Sequence, residues 1–312
     1  LIIAEKRLRK HQLPDELKWL PAVLSFMNPF ASAGDGYSGL WQLNYNTAGF
    51  YGLNINSFLD ERRDPELSTN AAVKYISDLH SIYNDWELCL AAYLCGATTI
   101  NKAIRRAKGN ASYSGIYSYL PPEYRDIVPA FSAVLFVVNQ PKKLNLTTTP
   151  LIIPLTDTVW INRRVHFEQI CKVLCIDEQL INEHNPMFKI RIVPGGKDTF
   201  ILNLPPKLKT EFARCRDSIY NYQDSLYNQK SIQDAAAVGQ IYTSRQTPVR
   251  SNFKSAASQH GITWYTVKAG ESFYSISRKY EGVSAKDIME ANKIKNPQSL
   301  RVGQKIKIPR KP

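Results

Sequence analysis

Cys171 and Cys175 stand four residues apart in a segment of helical periodicity, so both thiols fall on one face, a spacing that could hold a metal ion or a redox pair. No histidine or second cysteine pair supports that chemistry, and buried cysteines ordinarily pack as small hydrophobes. Cys89 and Cys95 flank an alanine-rich helical run and read the same way. With Cys215 the count is five, odd and without compact spacing, which argues against a disulfide framework. Neither metal nor cofactor is expected. Among the carboxylates, Glu61 and Asp64 are expected to cap or pair within their own loop, and Asp15 and Glu16 to open a helix at the positive end of its dipole.

At 312 residues, with 44% hydrophobic and 21% charged side chains, the composition is that of a globular protein with room for two or more cores. No run of about 18 apolar residues occurs, so no membrane-spanning helix is expected. The chain opens at Leu1 without a charged-then-apolar leader, and any export signal or membrane anchor is expected to precede it. A net charge of +13 calls for an anionic or polymeric partner. Nucleic acid is not expected, because no arginine-rich helix, zinc spacing or aromatic ribonucleoprotein motif is present. The charge is spread along the chain, including Lys6–Lys10 and Lys305–Lys311.

Residues 1–140 are dominated by helical signals. Pro14 precedes a helix that Pro21 kinks or restarts, and Asp64-Pro65-Glu66 opens another with Ala72, Val73, Ile76 and Leu79 on one face. Trp86–Cys95 reads as a helix ending at Gly96, and Pro122–Val138 as an apolar helix expected to be buried. Residues 150–223 then change period to strand, helix, helix, strand, with 206–223 a closing helix. Residues 263–312 have the same order. Phe167 and Ile170 match Phe273 and Ile276 at an offset of 106, and Ile181, Asn185, Val193 and Gly196 match Ile288, Asn292, Leu300 and Gly303 at 107, the mark of an internal repeat. Residues 224–262, rich in Ser, Gln, Asn and Ala, read as a flexible linker.

The run from Tyr265-Thr266-Val267 through Gly270-Glu271-Ser272-Phe273, Ala291-Asn292 and Leu300 to Pro309 resembles the LysM domain, a small βααβ module that binds N-acetylglucosamine-containing glycans. The resemblance implies glycan contacts at Gly270, Glu271, Ser272, Phe273, Asn296, Ser299 and Leu300. The middle repeat is similar but degenerate: its first loop, Asn162-Arg163-Arg164-Val165, lacks the glycine–acid pair, and packing is its expected role.

The N-terminal segment resembles the lytic transglycosylases, which have a goose-lysozyme-like helical fold and cleave peptidoglycan. Five blocks carry the resemblance in order: Leu20–Pro29, Gly39-Leu40-Trp41-Gln42, Tyr51-Gly52-Leu53, Ala91-Ala92-Tyr93, and Leu120–Glu123 with Val128-Pro129. In that family the first block carries a glutamate that protonates the glycosidic oxygen and then deprotonates the muramyl 6-hydroxyl. Here that position is Leu24, which has no proton to give. Leu94 likewise replaces an asparagine of the family's cleft. No second carboxylate serves as nucleophile in this chemistry, unlike most glycosidases, so losing the one acid removes the main catalytic device.

The sequence therefore implies a multidomain α+β protein: a lysozyme-like helical domain, a degenerate LysM-like module, a linker and a LysM module. The expected function is peptidoglycan or chitin-like oligosaccharide binding by an exported protein of the periplasm or outer membrane, with an inactive transglycosylase-like domain. Ser25, Gln42, Tyr93 and Leu94 are expected to contact sugar in the former cleft. One alternative is an active enzyme using Asp35, in the loop Gly34-Asp35-Gly36, as a relocated acid. Another is a scaffold whose cleft holds an envelope protein partner.

Overall fold

The computed structural model describes residues 1–33, 36–147, 156–196, 198–227 and 229, and in the C-terminal segment 263–267, 273–277, 280, 283–292, 294 and 304–309. It divides into two units, Leu1–Gln246 and Thr247–Pro312. In the first unit the helices are α1 (Ile2–Lys10), α2 (Leu20–Ser25), α3 (Tyr45–Phe50), α4 (Pro65–Tyr83), α5 (Trp86–Cys95), α6 (Ala97–Arg106), α7 (Tyr113–Ile116) and α8 (Ile127–Asn139). The stripe Ala72, Val73, Ile76 and Leu79 is buried along α4, as its spacing predicts. Asp64 caps that helix by accepting from the Glu66 and Leu67 amides, and Pro65 sits in the first turn, where its missing N–H is no loss. The α4 helix packs between α1 and α5 around a core that includes Trp41, Leu88, Ile100 and Ile116.

Pro21 restarts the chain as expected: a 3₁₀ turn, Asp15–Trp19, gives way to α2 with Pro21 in its first turn. The expectation of a buried Pro122–Val138 helix is corrected. A 3₁₀ turn covers Pro122–Tyr124, and α8 buries Ile127, Val128 and Phe131 while Phe136 and Val137 are 50% and 40% exposed. The buried stripe packs against α2, α5 and the Asp15–Trp19 turn, and apolar composition alone does not bury the face that carries Phe136 and Val137.

One buried ion pair organises the loops between α2 and α4. Arg62 donates through Nε and Nη2 to the two Asp60 carboxylate oxygens at 2.8 and 2.7 Å, with both side chains at least 95% buried. Its Nη1 donates to the Gly36 carbonyl at 2.6 Å and the Leu43 carbonyl at 3.0 Å, holding the 36–43 loop. Gly39 fits against this strut because it has no side chain: its φ is +83°, and a Cβ there would lie 1.8 Å from the Arg62 carbonyl oxygen.

The segment that carries Asp60 joins the helical part to the middle module. That module contains β1 (Asp157–Ile161), β2 (Val165–His166), α9 (Phe167–Leu174), α10 (Glu178–His184), β3 (Ile192–Val193) and β4 (Phe200–Leu204), with β1 antiparallel to β4. The Asp60 amide donates to the Met187 carbonyl at 2.8 Å and the Lys189 amide to the Phe58 carbonyl at 2.9 Å. Leu59 is buried in the middle module's own core, and the Arg164 guanidinium lies 5.6 Å from the Phe58 ring centre. Residues 206–223 form two helices, α11 (Pro206–Arg214) and α12 (Arg216–Asn221), rather than one. Tyr227, at the start of the expected linker, is buried against His166, while 230–262 lie outside the described residues.

In the second unit β5 (Thr263–Thr266) pairs antiparallel with β6 (Lys305–Ile308), and short helices cover Phe273–Ser277 and Ala285–Ala291. The repeat extends to individual atoms. Asn185 donates to the Ile181 and Asn203 carbonyls and accepts from the Asn203 amide. Asn292 does the same with the Ile288 and Lys307 carbonyls and the Lys307 amide. In both modules this clasp ties the second helix to the last strand.

Replacing one partner of a buried ion pair leaves the other charge unpaired, a loss of about 3–5 kcal/mol. Arg62→Met is therefore expected to lower the stability of the first unit by about that amount, measured by urea unfolding. Trimming the exposed Arg7–Glu66 pair by Arg7→Met is expected to change it by less than about 1 kcal/mol.

Candidate functional site

The N-terminal cleft is built on α2, α5 and α8. Helix α2 ends at Phe26, in the left-handed region at φ 52°, which turns the chain sharply and leaves the helix as a short wall. Leu24 on that wall is half-buried. It lines an open pocket of about 310 Å³ with Val23, Leu94, Ile127 and Ala130. Tyr37 fixes the opposite wall by donating to the Leu94 carbonyl at 2.7 Å. Gln42 lines the pocket too; its Nε2 donates to the Gly39 and Ala31 carbonyls at 2.8 and 3.1 Å, bracing the loop beneath.

Two of the expected sugar contacts lie elsewhere. Ser25 is 4% exposed, with its hydroxyl 2.7 Å from the Leu40 carbonyl and 3.0 Å from that of Pro21. Tyr93 is 3% exposed and donates to the Trp41 carbonyl at 2.8 Å. Both side chains hold backbone and neither lines the pocket. Burial raises the Tyr93 hydroxyl well above its ordinary pKa, so it stays a neutral donor. Asp35 lies outside the described residues.

The sequence did not point to Glu123, Tyr124 and Asp126, which line the pocket from the turn before α8. The Leu120–Glu123 block had marked the segment, but no periodicity says that this turn folds back over α2. Both carboxylates are exposed. A general acid at neutral pH needs an apolar, water-poor setting that lifts its pKa. Asp64 is raised that way, by burial, but it is committed to capping α4 and lies outside this pocket.

In the middle module the two loops that would flank a LysM groove are zipped together. Val165 pairs with Val193 and His166 with Ile192, and the Gly196 amide donates to the Asn162 carbonyl at 3.0 Å. Arg163 is drawn onto the trailing segment, 3.0 Å from Asp224 and 5.4 Å from the Tyr220 ring centre. In the C-terminal module Phe273 is 3% exposed and belongs to the core with Ile276 and Ile306. Gly270, Glu271, Ser272, Asn296, Ser299 and Leu300 lie outside the described residues.

A family model described as the transglycosylase SLT domain matches residues 2–115. Residues 2–115 are an SLT domain. The LysM domain model matches 265–309, and a model described as the LysM-like domain of lytic transglycosylase MltD matches 155–221. Over 310 residues the chain is 26% identical to membrane-bound lytic murein transglycosylase D of Escherichia coli (strain K12), covering 97% of this chain and 61% of that relative. It is 33% identical over 106 residues to a putative tributyltin chloride resistance protein of Alteromonas sp. (strain M-1), covering 34% of this chain and 51% of the relative. An inactive variant of lytic transglycosylase Slt from Pseudomonas aeruginosa aligns at TM-score 0.37 and 18% identity over 47% of this chain and 24% of that one.

Among the described residues no cluster of His, Cys, Asp or Glu is arranged to hold a metal ion. Cys171 is buried in the middle module while Cys175 is exposed, so the pair does not share an environment. Burial pushes the Cys171 and Cys89 thiols up to about 12. Unfolded thiols ionise at their ordinary pKa of about 8.5, so their contribution to stability is full below that pH and is lost as pH rises towards 12. The urea midpoint is therefore expected to fall between about pH 9 and 11. Below that range Cys175 should be alkylated by iodoacetamide well before Cys89 and Cys171, read by peptide mass spectrometry.

Proposed function

We propose that this chain holds cell-wall glycan without cutting it, as an envelope protein whose SLT domain has lost its acid. The observation that carries the reading is the wall around Leu24. The side chain stands on α2 at the position where the family's catalytic glutamate is expected, in an open pocket walled by Val23, Leu94, Ile127 and Ala130. Glu123 and Asp126 are exposed at its rim, without the burial that makes a carboxyl a proton donor at neutral pH. The LysM module supplies the wall contact, through the loops around Gly270–Phe273 and Asn296–Leu300. The middle module, its loops zipped and Arg163 folded onto Tyr220 and Asp224, serves as packing. Sites in the SLT and LysM domains on one chain raise avidity through effective concentration.

The rival reading is a lytic transglycosylase acting through Asp35, Glu123 or Asp126. Purified sacculi incubated with the chain are expected to release no 1,6-anhydromuropeptides; their release, abolished by Asp35→Asn, Glu123→Gln or Asp126→Asn, would establish the enzyme instead. Leu24→Glu returns a carboxyl to an apolar wall and is expected to bring release above the detection limit, general acid–base catalysis being worth at least about 10²-fold. Deleting 263–312 is expected to weaken sacculus co-sedimentation by at least about tenfold. Unchanged pelleting would move wall binding to the first unit.

A further inference from the structure

A groove in the first unit lies apart from the SLT cleft. It lies where the SLT domain meets the middle module, encloses about 1050 Å³, and has as one wall the outer face of the β1–β4 ladder. Strand alternation divides that ladder. Val159 and Leu202 point into the core, while Thr158, Trp160, Ile201 and Asn203 lie on the other face. Trp160 is 59% exposed and Ile201, its cross-strand partner, 39%. An indole left largely uncovered on a sheet face presents an apolar platform to whatever enters the groove.

The opposite wall comes from the SLT domain and brings amides: Asn54, Asn56 and Asn70. The walls are held by main chain. The Asp60–Met187 and Lys189–Phe58 hydrogen bonds, and a Lys189 Nζ bond to the Asn56 carbonyl at 2.6 Å, keep the domains in register beside the groove. The groove is thus preformed, which removes an ordering cost from binding.

Its charge selects the ligand. Although the chain carries +13, no described residue lining the groove is Lys or Arg. Phosphate-bearing polymers and other anions are therefore disfavoured. Five carboxylates line it: Glu61 accepts from the Asn54 amide and side chain, Asp64 caps α4, Glu66 pairs with Arg7, Glu183 accepts from Gln179, and Asp198 stands at the end of the sheet face. The groove thus offers an aromatic face, aliphatic surface, amide and hydroxyl groups and carboxylate acceptors such as Asp198, a set that suits an uncharged polyhydroxylated chain with hydroxyl donors and apolar C–H faces.

We propose that this interdomain groove is a glycan-binding site, separate from both the SLT cleft and the LysM loops, in which Trp160 stacks on a neutral N-acetylated sugar and Asn56, Asn70 and Thr158 bond its hydroxyl and acetamido groups. The choice of wall glycan rests on the function proposed above; the groove's architecture does not. The full chain labelled with 5-fluorotryptophan gives a ¹⁹F resonance for Trp160, identified as the one that Trp160→Phe removes. Titration with chitotetraose is expected to shift it saturably. Thr158→Arg, at an exposed position on the same face, is expected to weaken that binding by about tenfold or more. A resonance that stays still while the chain pellets with sacculi overturns the groove and leaves wall binding standing. A chain that neither shifts nor pellets overturns both. A shift untouched by Thr158→Arg places the sugar elsewhere and also overturns the groove. A response to the cationic chitosan tetramer alone overturns the assignment to a neutral sugar.

Discussion

The buried Asp60–Arg62 pair is the constraint on which the first unit depends. A guanidinium in a fold interior must satisfy its donors, and here they reach the Asp60 carboxylate and the Gly36 and Leu43 carbonyls. One side chain thereby fixes the loop that floors the SLT cleft. Because the Asp60 amide bonds Met187 in the next module, the same two-residue step also sets where the middle module sits. The pair thus ties the loop beneath the cleft to the segment that meets the middle module.

This gives a physical reason for the SLT frame to persist around a cleft proposed to have no acid. Several residues that carry the family resemblance hold backbone. Gly39 is required by the Arg62 carbonyl, Gln42 bonds two carbonyls, Ser25 bonds the turn of α2, and Tyr93 bonds Trp41. None of these duties involves substrate. Leu24 and Leu94 belong to a different class: half-buried, they line the pocket and pack against the edge of the core without bracing any backbone through their side chains.

The two repeats make the same point at module scale. The Asn185 and Asn292 clasps are superimposable in role, because each closes a second helix onto a last strand. The middle module also closes its own loop pair. In the middle module those loops are joined to each other and covered by Arg163 with the trailing helices, while its sheet face becomes one wall of a groove with the SLT domain.

Much of this was legible in the chain itself. Periodicity and caps placed α4 and α5, the strand, helix, helix, strand order of the middle module was read from its change of period, and a constant offset exposed the repeat, since these depend on neighbours a few residues apart. That position 24 is a leucine was also legible, because residue type is read directly from the chain. Tertiary structure alone decided that Ser25 and Tyr93 point to backbone, that Glu123 and Asp126 rim the cleft, that α8 leaves Phe136 uncovered, and that Leu59 is shared with the middle module's core. Each of these depends on which surface a segment meets across a long sequence separation. Local propensity and spacing carry no record of that encounter, because it is fixed by packing and by the pairing of buried charges.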